Sequence, residues 1–175
     1  MNAFAKVNRS RTMLIAALAC VTLAGSVSAS AETHTGKAVS GVTIVTSSAI
    51  SQFTTTSFAS LPGGSAVIKV PAGKVQLVQV TFTADSSCQG PAGQNWCALL
   101  MLADGTEKSP ASSGNYAFDG VGDGNDYFES HAMQRSILLT GGTHSIQVLG
   151  AVSLHGVNFF LDDWSLTITQ YNNGK

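Results

Sequence analysis

The chain has 175 residues, of which 44% are hydrophobic and only 11% are charged, and its formal net charge is −1. This composition lacks the clustered positive charge that nucleic acids or anionic membrane surfaces require. It also excludes a long coiled coil and a disordered tail, and the length predicts one globular domain.

The first 31 residues have the pattern of a secretory signal peptide. A basic start precedes an uncharged apolar run at residues 13–24, and small residues offer cleavage after Ala31 or Ala29. The run is too short for a permanent membrane anchor. Removing 1–31 takes away three of nine basic residues and none of the ten acidic ones, which leaves 144 residues with a charge of −4. We expect an exported protein, periplasmic or extracellular, with no transmembrane segment and no nucleic-acid partner.

Beyond residue 31, short β-branched and aromatic runs alternate with Gly, Pro, Asn and Asp, and no helical period is sustained. Strands are predicted at residues 42–45, 49–58, 66–70, 74–84, 97–103, 127–139, 144–152 and 157–171. Turns are predicted at residues 61–64, 71–73, 104–105 and 140–143, and residues 109–125 form an irregular segment. About eight strands without a crossover helix predict an antiparallel β-sandwich or jelly roll over residues 32–171, with residues 172–175 as a frayed tail.

Two cysteines remain after the predicted cleavage, Cys88 and Cys97. In an oxidising compartment an even pair across a turn-rich segment predicts a disulfide. A loop of this size stabilises a fold by about 2–3 kcal/mol. Two thiols without neighbouring Cys or His ligands do not complete a zinc site.

Several short segments, taken in order, carry a resemblance. They are Val-Thr-Phe-Thr-Ala-Asp-Ser-Ser-Cys (80–88), Asn-Trp-Cys (95–97), Ala-Asp-Gly (103–105), Glu-Ser-His-Ala-Met-Gln-Arg-Ser (129–136), Gly-Gly-Thr-His (141–144) and Leu-Asp-Asp-Trp-Ser-Leu-Thr (161–167). The chain resembles a recurring set of bacterial secreted β-sandwich proteins with a Cys-loop-Cys segment and such a C-terminal strand. Its Gly-Gly-Thr-His hairpin also resembles those of tumour-necrosis-factor-like jelly rolls. The resemblance implies a fold and supplies no catalytic residues.

An acidic, glycine-rich segment spans residues 119–129. Calcium prefers several oxygen ligands from a flexible loop. The candidate ligands are Asp119, Asp123, Asn125, Asp126 and Glu129. The segment is not an EF-hand, since Val121 and Ser130 occupy ligand positions and no helices flank it. The alternative is a solvated loop whose Asp and Asn side chains form turns.

Aromatic residues lie among polar ones in the predicted loops. Sugar rings stack on aromatic faces while amides and carboxylates bind their hydroxyls, which predicts a glycan site. The candidate residues are Trp96, Asn95, Tyr116, Tyr127 and Phe128. Alternatively, Trp96 covers the disulfide and the others lie at the edges of the core. Trp164, inside the last strand, is assigned to the core.

Arg135 lies in an apolar series, and a half-buried charge needs a partner. Strand alternation favours an ion pair with Asp162 or Asp163. The alternative is a polar ligand site formed with His131 and Glu129.

No G-x-S-x-G or H-E-x-x-H motif is present. The leading prediction is therefore a secreted, non-catalytic β-sandwich that binds a glycan or other surface ligand through its loops, with calcium as a candidate cofactor. The alternative is an assembly protein that forms a homo-oligomer through a sheet face. A small secreted hydrolase with a carboxylate pair comes third.

Overall fold

The chain forms antiparallel β-sheet in the computed structural model, which describes residues 33–91, 93, 95–107, 117–122 and 127–173. The strands of this part are β1 (Gly36–Ser47), β2 (Ser51–Phe53), β3 (Ala59–Gln89), β4 (Trp96–Ala103), β5 (Thr106–Glu107), β6 (Ala117–Gly120), β7 (Glu129–Val152) and β8 (Asn158–Asn173). Their order is β1-β8-β3-β7-β4-β5, with β2 beside β8 and β6 beside β4. The predicted all-β class is confirmed, and none of the described residues forms a helix that could cross a membrane.

β3 and β7 are long strands that contain the segments predicted as turns. Residues 61–64 and 71–73 lie inside β3, and residues 140–143 lie inside β7. The pairing of β3 with β7 shifts register between Ser60 and Ser65 and between Val70 and Val75. Extra residues on one strand bend a ladder without ending it. The Gly- and Pro-rich segments are therefore bends at which both strands continue.

These bends divide the ladder into two layers. The first layer consists of β1, β2, β8, residues 75–89 of β3 and residues 129–140 of β7. The second consists of residues 59–70 of β3, residues 142–152 of β7, and β4 to β6. The Phe118 ring in β6 lies 5.9 Å from that of Phe82 and 6.2 Å from that of Phe159, both in the first layer. The two layers thus face each other as a sandwich.

The core lies between the layers. Val78, Val80 and Phe82, predicted to share one face, are fully buried. Trp164 is also buried, and its ring stacks on that of Phe82 at 6.0 Å between centroids. The alternation of apolar residues in the middle of β3 therefore identifies the inner face correctly.

The inward alternation of β8 is interrupted near its start. Asp85 pairs with Asp162, whereas Thr83 pairs with Ser165, so β8 has one extra residue between these pairs. Asp163 has a φ of 43°, a left-handed conformation. This bulge exchanges the faces of β8, so that Leu161 and Trp164 both point inward.

The C-terminal boundary also differs from the prediction. β8 continues to Asn173, which pairs with Gly36, whereas the sequence predicts a frayed tail from residue 172. The β1 partner supplies the backbone hydrogen bonds that keep these residues in the sheet. Residues 174 and 175 lie outside the described part.

Candidate functional site at the disulfide end

Cys88 and Cys97 form the predicted disulfide, with their Cα atoms 5.8 Å apart. Cys88 lies near the end of β3 opposite Phe159, and Cys97 lies near the start of β4 opposite Val152. The bond therefore joins the two layers. We call this edge of the sandwich the disulfide end.

Trp96 is placed at this end by a rigid frame. Its backbone N–H donates to Ser153 Oγ at 2.9 Å, and its carbonyl accepts from the Ser153 N–H at 2.9 Å. Trp96 also pairs with Gly120 of β6 and precedes Cys97. Its side chain remains 36% exposed. A fixed backbone thus holds a partly exposed indole at this end.

Tyr127 and Phe128 lie at the same end. They immediately precede Glu129, which pairs with Ser86 two residues before Cys88. Tyr127 is 72% exposed and Phe128 is 44% exposed. We refer to these three residues together as the aromatic patch because they share this end of the sandwich, with Trp96 on the second layer and Tyr127 and Phe128 before the first-layer part of β7. Tyr116, the fourth predicted aromatic residue, lies outside the described residues.

Asn95 shapes the loop beside Trp96. Its Nδ2 donates to the Pro91 carbonyl at 3.1 Å, and its own carbonyl accepts from the Val121 N–H at 3.0 Å. The side chain is half-buried. Asn95, which the sequence analysis predicts to bind the ligand, therefore has a role in holding the loop beside Trp96.

Asp119 is engaged within the protein at both carboxylate oxygens. Oδ2 accepts from Ser86 Oγ at 2.7 Å, and Oδ1 accepts from the Gly120 N–H at 2.7 Å. Glu129 is exposed, and the other predicted calcium ligands, Asp123, Asn125 and Asp126, lie outside the described residues. In the part that is described, no group of three or more His, Cys, Asp or Glu side chains could hold a metal ion.

Ser86, Asp119 and His131 form a network that the sequence analysis missed. Ser86 is fully buried, and its Oγ lies 2.9 Å from His131 Nδ1 as well as 2.7 Å from Asp119. Because the hydroxyl has one proton and donates it to the carboxylate, Nδ1 is the donor to Oγ. His131 therefore cannot take the Ser86 proton through this nitrogen, which is the wrong order of groups for a serine nucleophile. The sequence feature that could have indicated this network is the alternation of Ala84, Ser86 and Cys88, which places a serine hydroxyl on the inner face of β3.

Arg135 faces the core and is only 3% exposed. Its Nη1 donates to the Gln134 carbonyl at 2.9 Å. Arg135 pairs with Val80, which lies five positions along β3 from Asp85, the partner of Asp162. At about 3.3 Å per residue this separation is about 17 Å. The structure therefore does not bring Arg135 to Asp162 or Asp163, because the bulge and the register both place these aspartates elsewhere.

Charge is distributed unevenly between the two ends. The carboxylates of the described residues at the disulfide end are Asp85, Asp119, Glu129, Asp162 and Asp163. The described lysines are Lys37, Lys69 and Lys74. They lie at the opposite edge of the sandwich, near the strand positions of Asn173, Thr143 and Thr140. We call this opposite edge the lysine end. Within the described ranges, the disulfide end is acidic and has no Lys or Arg on its surface.

Comparison with known proteins identifies no family. No family model and no curated protein matches the chain. One solved structure that matches the chain weakly is the dimeric latent PorU from Porphyromonas gingivalis, with 14% sequence identity and a TM-score of 0.33. The match covers 82% of this chain and 14% of that one, so the chain spans about one seventh of the PorU chain.

Proposed function

We propose that this protein is an exported, non-catalytic binding module that holds a glycan or other surface ligand at its disulfide end. The observation that carries the proposal is the aromatic patch, three exposed aromatic side chains at one edge of the sandwich. Soluble proteins bury most large aromatic surface, and exposed rings are typical of sites that stack on flat ligands. The disulfide and the Ser153 hydrogen bonds keep the Trp96 backbone fixed, which lowers the entropy lost on binding.

The test is depletion of the purified protein by insoluble cellulose, chitin, starch and peptidoglycan. We expect one polymer to remove the protein from solution, and Trp96→Ala or Phe128→Ala to abolish that removal. Leu138→Ala is the matched control, because Leu138 is 43% exposed, like Phe128, and lies towards the lysine end. Failure of every polymer to deplete the protein would contradict the proposal.

Calcium at residues 119–129 belongs to the same proposal as an auxiliary cofactor. The assay is repeated with calcium and with EDTA. Loss of depletion in EDTA, restored by added calcium, would support the site. Equal depletion in both would remove calcium from the proposal and leave the aromatic patch.

A second candidate function is homo-oligomeric assembly through β1. This strand lies at the edge of the first layer, and its outward side chains Val39, Val42 and Ile44 are each more than half exposed. Native edge strands are commonly blunted by charges or proline, and residues 41–47 contain neither. A monomeric mass in solution would contradict assembly. A dimer or trimer that Ile44→Lys dissociates would support it.

A further inference from the structure

Two shallow cavities lie side by side on the first layer, between its middle and the disulfide end, and Asp163 lines both. The larger has a volume of about 540 Å³, and its lining residues include Thr46, Ser47, Ser48 and Ser165 together with Ala49 and Trp164. The smaller has a volume of about 260 Å³ and includes Thr83, Asp85 and Ser130. Hydroxyls and carboxylates are the groups that hydrogen-bond to sugar hydroxyls.

The bulge in β8 sets the position of Asp163 between these cavities. Asp163 has a φ of 43°, and its N–H donates to Asp162 Oδ1 at 2.9 Å. A regular strand would direct residue 163 inward, since the neighbouring Asp162 shares an outward pair with Asp85. The bulge instead leaves Asp163 exposed, while Trp164 takes the inward position. The left-handed conformation of Asp163 therefore leaves its carboxylate on the outside of the sheet, between the two cavities.

Phe128 of the aromatic patch lies close in sequence to the smaller cavity. Ser130 lines that cavity and donates through Oγ to Asp85 Oδ1, and Phe128 lies two residues before it. Aromatic faces attract cations as well as sugar rings. The surrounding surface has the charge complementary to a cation, because the described lysines lie at the lysine end.

Resting on the proposed function, we propose that the ligand is a glycan built from positively charged amino sugars, and that Asp163 binds its ammonium groups. The hydroxyl-lined cavities receive the sugar rings on either side of this carboxylate, and Phe128 stacks against the chain as it leaves the smaller cavity. Charge then distinguishes this ligand from neutral glycans with the same ring structure.

The experiment compares two insoluble polymers with the same sugar backbone, chitin with acetylated amines and cross-linked chitosan with free amines, at a mildly acidic pH at which the free amines are protonated and carboxylates remain ionised. At low salt we expect chitosan to deplete the protein at lower polymer concentration than chitin. Added salt should reduce this preference, because exposed charges are screened over about 10 Å at 0.1 M ionic strength. Asp163→Asn should reduce the preference by up to about fivefold, as expected for one exposed ion pair.

Asp163→Asn suits this test because asparagine tolerates the left-handed conformation, so the fold is retained while the charge is removed. Glu107→Gln is the control, since it changes the net charge equally at the other end of β4. If both variants lose the same amount of chitosan binding, adsorption follows net charge and the inference is overturned. Equal depletion by chitin and chitosan, unaffected by salt, also overturns it and leaves the proposed function standing. No depletion by any polysaccharide overturns both.

Discussion

The long strands β3 and β7 run between the disulfide end and the lysine end, and the two ends differ in structure. At the lysine end the chain bends tightly: a Cβ at Gly141 would lie 2.7 Å from the Pro71 carbonyl oxygen. At the disulfide end the side chains of Trp96, Tyr127 and Phe128 are exposed to solvent. The lysine end is closely packed at Gly141, whereas the disulfide end has exposed aromatic and acidic side chains near the Cys88–Cys97 bond. This difference is the reason why we propose that the ligand binds at the disulfide end.

The largest effect on stability is expected from a substitution in the core that lies between the two layers and is common to both ends. Phe82 packs against Trp164 and Phe118, so Phe82→Ala should lower the free energy of unfolding by about 3–5 kcal/mol. Denaturant unfolding followed by fluorescence and by circular dichroism measures this. Two separated transitions in the wild type would show that the ends unfold independently and would contradict a shared core.

Removing the disulfide should affect one end preferentially. In the double variant Cys88→Ala and Cys97→Ala, we expect the free energy of unfolding to fall by about 2–3 kcal/mol. Polysaccharide depletion should also weaken, because Trp96 directly precedes Cys97. Unchanged depletion by a folded double variant would mean that the disulfide does not position the site.

Adding a side-chain atom at the lysine end should lower stability and leave polysaccharide binding unchanged. Gly141→Ala adds a Cβ against backbone atoms of Pro71, Ala72 and Gly73, which should cost about 1–3 kcal/mol of stability. Depletion by the polysaccharide should not change. A binding loss as large as that of Phe128→Ala would contradict the assignment of the site to the disulfide end.

The smallest stability effect is expected in the aromatic patch itself. Phe128 is exposed, so Phe128→Ala should change the free energy of unfolding by less than about 0.5 kcal/mol while abolishing depletion. Thermal unfolding with a parallel depletion assay separates the two quantities. A large drop in melting temperature would instead indicate that Phe128 is part of the core.

The parts that were predictable from sequence depend on local pattern. Alternation in β3 identified Val78, Val80 and Phe82 as core, and the Cys88–Cys97 spacing identified the disulfide. Glycine and proline at 61–64 and 71–73 indicated breaks, but whether a break turns a strand or bends it depends on the partner strand. That partner is far away in sequence, so the continuous course of β3 could not be predicted.

The candidate site shows the same limit. Arg135 was assigned to Asp162 because regular alternation placed both inward, and a single extra residue in β8 reversed that parity. The bulge has no distinct local signal, since Asp163 is an ordinary L-residue in an uncommon conformation. The network of Ser86, Asp119 and His131 likewise joins three strands whose register the sequence does not specify.

The most direct test of the central claim uses the indole of Trp96 as a reporter. The chain has two tryptophans, and replacing the buried one by Trp164→Phe leaves Trp96 alone. The Trp164 Nε1 has no hydrogen-bond partner among the described residues, so this change removes no hydrogen bond there. Titration with soluble fragments of the polymer that depletes the protein should shift Trp96 emission and saturate. Unchanged emission at fragment concentrations that compete with depletion would place the ligand away from Trp96 and contradict the account.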